Sequence, residues 1–262
     1  MVKKSLIDNP VVSQQVFYPR KMSKPNITDP QIKVLQLIIS KKITIGGFFY
    51  LNDENFPTIL LFHGNGEIAA DYQYFLDFFF DCGVNLAVVD FRGYGFSSGE
   101  PTYSSLIFDA FPIYNEFYNW MKLNKLRDSL FLLGRSIGSA CASEIGAYNP
   151  DSLKGVIFES GFASMYNMMT RLFRVSGPGI TPEGLREYSN DTRILKFQKP
   201  VLIIHGTEDW IIPSDEGKLI YECLPPGIEK KLVLIDGAGH NNIFSFRDEY
   251  ITPLKEFIQK HK

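Results

Sequence analysis

The 262-residue chain is predicted to fold as an α/β protein, a mostly parallel sheet flanked by helices with a small cap inserted at one end. Three observations carry this prediction. From Pro57 onward, short and nearly continuous Val/Ile/Leu/Phe runs have the length of strands covered on both faces: Thr58–Phe62, Leu86–Asp90, Ser129–Leu133, Gly155–Phe158, Val201–His205 and Lys231–Ile235. Longer stretches with helical apolar spacing lie between them, and strand alternating with helix implies parallel pairing through right-handed crossovers. Finally, Phe162–Lys199 interrupts the alternation without any clear strand of its own.

Residues 1–30 contain Pro10, Pro19, Pro25 and Pro30 among polar residues and read as an irregular arm, crossed by one strand near Val12–Tyr18. Residues 31–262 read as a single domain. It opens with Gln31–Ser40 and Ile43–Tyr50, rich in β-branched and aromatic residues and joined by Lys41-Lys42, which predict a hairpin. Tyr72, Phe75, Leu76, Phe79 and Phe80 recur at helical spacing, as do Tyr103, Leu106, Ile107, Ala110, Tyr114, Phe117 and Met121. Pro112 should bend or break the second of these helices. In Phe162–Lys199, Gly177-Pro178-Gly179 and Thr181-Pro182 punctuate the chain, and Met165, Met168, Met169, Leu172 and Phe173 suggest a helical piece with an apolar face. An insertion of that length at one end of a sheet is more often a cap or lid than a plain loop.

Composition narrows the functional classes. Hydrophobic residues make up 45% of the chain and charged residues 21%, which excludes general disorder. A net charge of −2 argues against electrostatic capture of nucleic acid or of an anionic membrane as the main business. No apolar run approaches the roughly 20 residues of a membrane span, and Met1–Pro10 contains no signal-peptide core, so the sequence reads as cytoplasmic. Cys82, Cys141 and Cys223 include no Cys-x-x-Cys pair and suggest neither a disulfide framework nor a metal site. The many rings, 22 Phe and 13 Tyr, suit a core built on aromatic packing rather than a cofactor pocket.

The most informative stretch is Leu130–Ala142, a strand followed by Gly134-Arg135-Ser136-Ile137-Gly138 and then small residues. A serine on such a strand-to-helix turn is projected above the sheet, and the flanking glycines make room for it. The flanking strand and small-residue helix favour a nucleophile over a glycine-rich corner with an incidental serine. At neutral pH its hydroxyl needs a base, and the chain offers His63, His205, His240 and His261. His261 lies in the tail, His205 ends a strand, and His63 precedes Gly64-Asn65-Gly66. His240 sits in the glycine-rich loop Asp236–Asn242 after the last strand, at the sheet edge where Ser136 also falls. Asp209, in Gly206-Thr207-Glu208-Asp209, is the acid expected to orient that base. Its short side chain is preferred to Glu208, with Glu159 as the alternative. The main-chain N–H of Ile137 and that of Asn65 are the expected oxyanion donors.

These motifs, with Asp90-Phe91-Arg92-Gly93-Tyr94-Gly95-Phe96-Ser97-Ser98-Gly99 and Gly239-His240-Asn241, resemble the α/β-hydrolase superfamily over about Ile43–Ile258. In particular they resemble its small-capped serine hydrolases related to protein depalmitoylases. The chain order Ser136, Asp209, His240 is that of this superfamily. The resemblance implies an eight-stranded, mostly parallel sheet, hydrolysis of an ester or thioester substrate through an acyl-enzyme, and no cofactor or metal. It also implies Ser136 as nucleophile, Asp209 as acid, His240 as base, and Asn65 and Ile137 as oxyanion donors. The N-terminus carries neither the membrane-spanning helix nor the cysteine cluster that anchors some relatives, which speaks against a membrane-bound acyl-protein as substrate. The cap's six basic residues against three acidic ones hint at an acyl substrate bearing negative charge, although a solvated helix face explains them as well.

Two rival readings come from other classes. Gly64-Asn65-Gly66-Glu67-Ile68-Ala69 follows a strand, fits Gly-x-Gly-x-x-Ala, and precedes Asp90 at the distance of a ribose-binding acid, as in a nucleotide-binding enzyme. Against it, two predicted strands precede the glycines, where the fingerprint normally occupies the first turn. The second rival is a hydrolase fold that only binds, against which the intact Ser136, Asp209 and His240 argue.

Overall fold

The computed structural model describes residues 6–262; the first five residues of the arm lie outside the described residues. The chain begins with α1 (Pro10–Val16) and the hairpin β1 (Ile32–Ser40) and β2 (Ile43–Tyr50). There follow β3 (Thr58–Phe62), α2 (Leu76–Phe80), β4 (Asn85–Val89), α3 (Tyr103–Leu123), β5 (Leu130–Arg135), α4 (Ser139–Tyr148) and β6 (Leu153–Glu159). The cap segment contains α5 (Met165–Asn167), which runs into a π-turn over Met168–Leu172, and α6 (Asn190–Ile194). The chain closes with β7 (Val201–Gly206), α7 (Ser214–Cys223), β8 (Lys230–Ile235) and α8 (Arg247–His261). The strands form one eight-stranded sheet in the order β1-β2-β4-β3-β5-β6-β7-β8. Only the β1/β2 and β2/β4 pairs are antiparallel.

The apolar runs of β3 to β7 are explained by burial on both faces, whereas the edge strand β8 is only partly covered. Leu60 and Phe62 of β3 join the core under α3 and α4, whereas Ile59 and Leu61 join the one under α2 and α8. Leu130 and Leu132 of β5 divide from Phe131 and Leu133 in the same way, the period-two alternation of a strand with no wet face.

Two local expectations are corrected, and of the bend or break expected at Pro112 the break does not occur. The strand expected near Val12–Tyr18 is instead the helix α1. Pro10 occupies its first turn, and the Asn9 side chain caps it by accepting the Val11 N–H at 3.0 Å. Val12 and Val16, four apart, are buried together, so tertiary packing overrides their β preference. The Tyr72–Phe80 stretch begins as a 3-10 turn over Ala69–Phe75 before α2. Finally, α3 runs through Pro112 without a break. The carbonyl that loses its partner there belongs to Phe108, which is 69% exposed, so solvent is at hand to compensate it.

What positions the site is the corner between β5 and α4. Ser136 has φ 53°, a left-handed conformation that costs a non-glycine residue on the order of 1–2 kcal/mol. A Cβ on Gly138 would lie 2.1 Å from the carbonyl oxygen of Phe62 in β3, so the corner rests directly on the neighbouring strand. Gly138→Ala should therefore destabilise the fold by on the order of 1–3 kcal/mol, seen as a lower urea midpoint.

Candidate active site

The carboxyl ends of β5, β7 and β8 bring three side chains together across large sequence distances. The Ser136 hydroxyl donates to His240 Nε2 at 3.0 Å, and His240 Nδ1 donates to Asp209 Oδ2 at 2.7 Å. All three residues are buried. Asp209 is held on the loop after β7 by the N–H groups of Ile211 and Ile212, which donate to its Oδ1 at 3.0 and 2.8 Å. The β7 and β8 loops are tied to each other by Glu208 N–H donating to Ala238 O at 2.8 Å and Gly237 N–H donating to Thr207 Oγ1 at 2.9 Å. Burial alone would raise the Asp209 carboxyl pKa. The bonds to His205 and His240 outweigh it and hold the acid well below the usual carboxylate range.

A cleft of about 230 Å³ opens over these groups, and Asn65, Ser136, Ile137, Met168, Leu172 and His240 are among the residues lining it. Both residues expected to supply oxyanion donors thus line the same cleft as the serine. The Asn65 side chain does not turn toward Ser136. Its Oδ1 accepts from the Tyr94 hydroxyl at 2.7 Å and from the Tyr18 N–H at 3.0 Å, and its Nδ2 donates to Val16 O. A larger cavity, about 400 Å³ between the cap residues Ser164, Arg186 and Asp191 and Cys223 at the end of α7, contains none of the three.

The remaining histidines and acids fall elsewhere. His63 is buried beside Phe91, with ring centroids 4.4 Å apart, and its Nδ1 lies 2.7 Å from Gly64 O. Asp90, the ribose-binding acid of the nucleotide reading, is fully buried and accepts the Ala69 N–H at 2.8 Å, leaving no face for a ribose. Glu159 accepts from Arg135 and, at 2.9 Å, from the Tyr250 hydroxyl. Asp209 rather than Glu159 lies against His240. His205 stands behind Asp209, with its Nε2 at 2.7 Å from Ile212 O and 3.5 Å from Asp209 Oδ2.

Sequence reasoning missed the role of Arg135. Its guanidinium is buried between Glu67, at 2.7 Å, and Glu159, and donates to the main-chain carbonyl of His240 at 3.0 Å. Glu67 in turn accepts the Gly64 N–H at 2.9 Å and the Tyr72 hydroxyl at 2.8 Å. One cation beside the serine therefore grips the loop after β3, the end of β6 and the histidine loop. Burial opposes ionisation of Glu67, but Arg135 carries its carboxyl down to about 2. The signal was present, since an arginine between an apolar strand and a small-residue helix must find buried acids.

By sheet order and connectivity the molecule is an α/β hydrolase, and comparison with known proteins agrees. The matches support the α/β-hydrolase superfamily. Residues 53–181 match the family model described as serine aminopeptidase, S33. Protein bem46 of Schizosaccharomyces pombe is 26% identical over 249 residues, covering 91% of this chain and 82% of that protein. Human alpha/beta hydrolase domain-containing protein 17B is 29% identical over 78% of this chain, which spans 66% of that relative's length. Among solved structures, the esterase Pf2001 of Pyrococcus furiosus superposes with a TM-score of 0.71 at 19% identity, covering 93% of this chain and 98% of that one. At that identity the likeness speaks for the fold.

Replacing Arg135 with Met strands the buried Glu159 and the partly buried Glu67 and should cost about 3–5 kcal/mol of stability, and adding Glu159→Gln should return part of it in urea titrations. Because Glu67 titrates lower folded than unfolded, its contribution is complete above the unfolded carboxylate range near pH 4 and vanishes as pH falls toward about 2. Stability should therefore decline less steeply over that acid window in Glu67→Gln than in the wild-type chain.

Proposed function

We propose that this chain is a serine hydrolase that cleaves carboxylic ester or thioester bonds by two-step acyl transfer. The observation that carries the reading is the unbroken hydrogen-bond path from Ser136 through His240 to Asp209, 3.0 and 2.7 Å long in its two links, under a cleft lined by Ile137 and Asn65.

In the first step Ser136 Oγ attacks the acyl carbonyl while His240 Nε2 takes its proton. Asp209 keeps the opposite ring nitrogen protonated and stabilises the imidazolium. Charge develops on the carbonyl oxygen, where the N–H groups of Ile137 and Asn65 receive it. The C–O or C–S bond then breaks as His240 returns the proton to the departing alcohol or thiol. Water, deprotonated by the same histidine, releases the acid and regenerates Ser136.

Met168, Leu172, Phe173 and Ile211 line the cleft and suit the hydrocarbon part of an acyl group, and methionine adapts to several shapes. The Pyrococcus furiosus neighbour is an esterase by name, in keeping with this reaction class. A protein that only binds would lack an activated hydroxyl.

A fluorophosphonate probe should label Ser136 in the wild-type chain and nothing in Ser136→Ala; absence of labelling would favour the binding-only alternative. On a short p-nitrophenyl ester, Ser136→Ala should lower kcat by on the order of 10⁴-fold or more with the fold intact. Asp209→Asn should cost less than Ser136→Ala or His240→Ala. If Glu159→Gln abolished turnover and Asp209→Asn did not, the acid would be misassigned. A panel of acyl-chain lengths, each as ester and thioester, would define the substrate class.

A further inference from the structure

The arm ahead of the sheet is engaged with the loop after β3 more closely than a tether requires. Val16 O and Tyr18 N–H flank the buried Phe17 and both bond the Asn65 side chain. Tyr94, fully buried, closes the group, its hydroxyl accepting the Tyr18 N–H at 3.0 Å while donating to Asn65 Oδ1. Beyond the clasp, Arg20 donates to Gly66 O at 3.2 Å and pairs with Asp71 at 2.6 Å. The strap is then fixed along Gly95, whose N–H donates to Arg20 O at 2.8 Å and whose carbonyl accepts from Met22 N–H at 2.9 Å. The amide of Asn65 is thus taken up by the arm on its donor and acceptor sides alike. Asn65 at the same time lines the cleft beside Ser136 and Ile137.

Resting on the serine-hydrolase reading above, we propose that the arm segment Val16–Met22 is a working part of the hydrolytic site. It clasps Asn65 and Gly66 so that the Asn65 peptide keeps its N–H directed at the developing oxyanion. Asn65 (through its side chain), Tyr94 and Arg20 are positioning residues in this scheme, and none of their side chains touches the reacting atoms. The physical basis is that an oxyanion donor acts only if its dipole is fixed before charge develops. A glycine-flanked loop does not fix itself. The Arg135–Glu67 pair secures this loop from the serine side, and the arm secures it from the other. Breaking the clasp would release the second hold, while the bonds joining Ser136, His240 and Asp209 involve no residue of the arm.

The test uses the full-length chain and three variants: Arg20→Ala, Tyr94→Phe and Asn65→Ala. Arg20 is half exposed, so its truncation should leave the fold in place, and thermal melts check the other two. Exchange of the amides at 64–66, followed by hydrogen–deuterium mass spectrometry, should quicken in each variant. On a short p-nitrophenyl ester, kcat should fall by on the order of 10-fold to 100-fold, short of the roughly 10²–10³-fold effect of losing a donor outright, with KM within about twofold. Affinity for a trifluoromethyl ketone, which forms a tetrahedral oxyanion on the serine, should fall by the same factor as kcat. The combined variant should lose little more than Asn65→Ala alone, because all three act through one clasp.

Unchanged exchange at 64–66, or quickened exchange with wild-type kcat and ketone affinity, would overturn the proposal. So would a loss confined to KM. A wild-type chain inert to fluorophosphonate would overturn the hydrolase reading, and with it the arm's part in catalysis. That outcome is told apart from failure of the clasp alone, in which the wild-type chain still labels at Ser136.

Discussion

The corner at Ser136 is the constraint on which the rest of this molecule turns. A strand must stop, reverse its main chain into the left-handed region at a residue that carries a side chain, and enter a helix pressed against the adjacent strand. The closeness is extreme, since Gly138 leaves no room for even one carbon before the Phe62 carbonyl. Strain of this kind persists only where its surroundings over-determine it. Those surroundings are β3 on one side, α4 packed on the small residues that follow, and the guanidinium of the residue just before the serine. Order in the central sheet and presentation of the hydroxyl are accordingly one property.

Arg135 extends that constraint from a corner to a site. Its charge could not be buried alone, because the cost of desolvation would be several kcal/mol. Two carboxylates and a main-chain carbonyl surround it, each from a different segment. Such a network adds little net stability compared with an apolar core, but it has only one satisfied arrangement. A displacement of the histidine loop or of the loop after β3 would leave a buried charge short of a partner. Rigidity at these loops follows from that penalty rather than from extensive packing, and Tyr72 and Tyr250 complete the remaining acceptor positions of the two acids.

Much of this is legible in the sequence, for specific reasons. Strands buried on both faces announce themselves as uninterrupted apolar runs, so β3 and the strands after it can be placed to within a residue or two of their ends. The serine motif is legible because the close approach at Gly138 and the sharp turn leave few residue choices. The loops bearing Asp209 and His240 can be placed because each follows a strand whose carboxyl end falls on the same edge. Features that depend on partners far away in sequence cannot be read locally. Nothing around Val12 distinguishes a strand from α1 until its burial with Val16 is known. Glu159 and Asp209 both follow strands, and only the third dimension gives one to Arg135 and the other to His240. The occupation of the Asn65 side chain likewise depends on residues 16, 18 and 94, far from it in sequence.

The same reasoning explains why the groups are assembled from loops rather than from a single element. Each lies past the end of a strand; the strands before Asn65, Ser136 and Asp209 are fixed by hydrogen bonds to two neighbours and the edge strand β8 before His240 by bonds to one, so the sheet sets their spacing and each loop adds only a short lever. A short lever still has soft torsions, and each of these loops is stiffened by a bond that crosses to another segment: Asp209 by its own turn and His205, the histidine loop by Arg135 and Thr207, the Asn65 loop by Glu67 and the arm. The anchors differ in kind. Those inside the sheet are buried ions and main-chain turns that cannot open without unfolding a part of the core. The arm is bound by main-chain bonds to the side chains of Asn65 and Tyr94, with Arg20 beside them, and by the burial of Val16 and Phe17 in the core. The arm is the anchor that lies outside the sheet, and its Val16 and Phe17 tie it to the same core that carries Ile137.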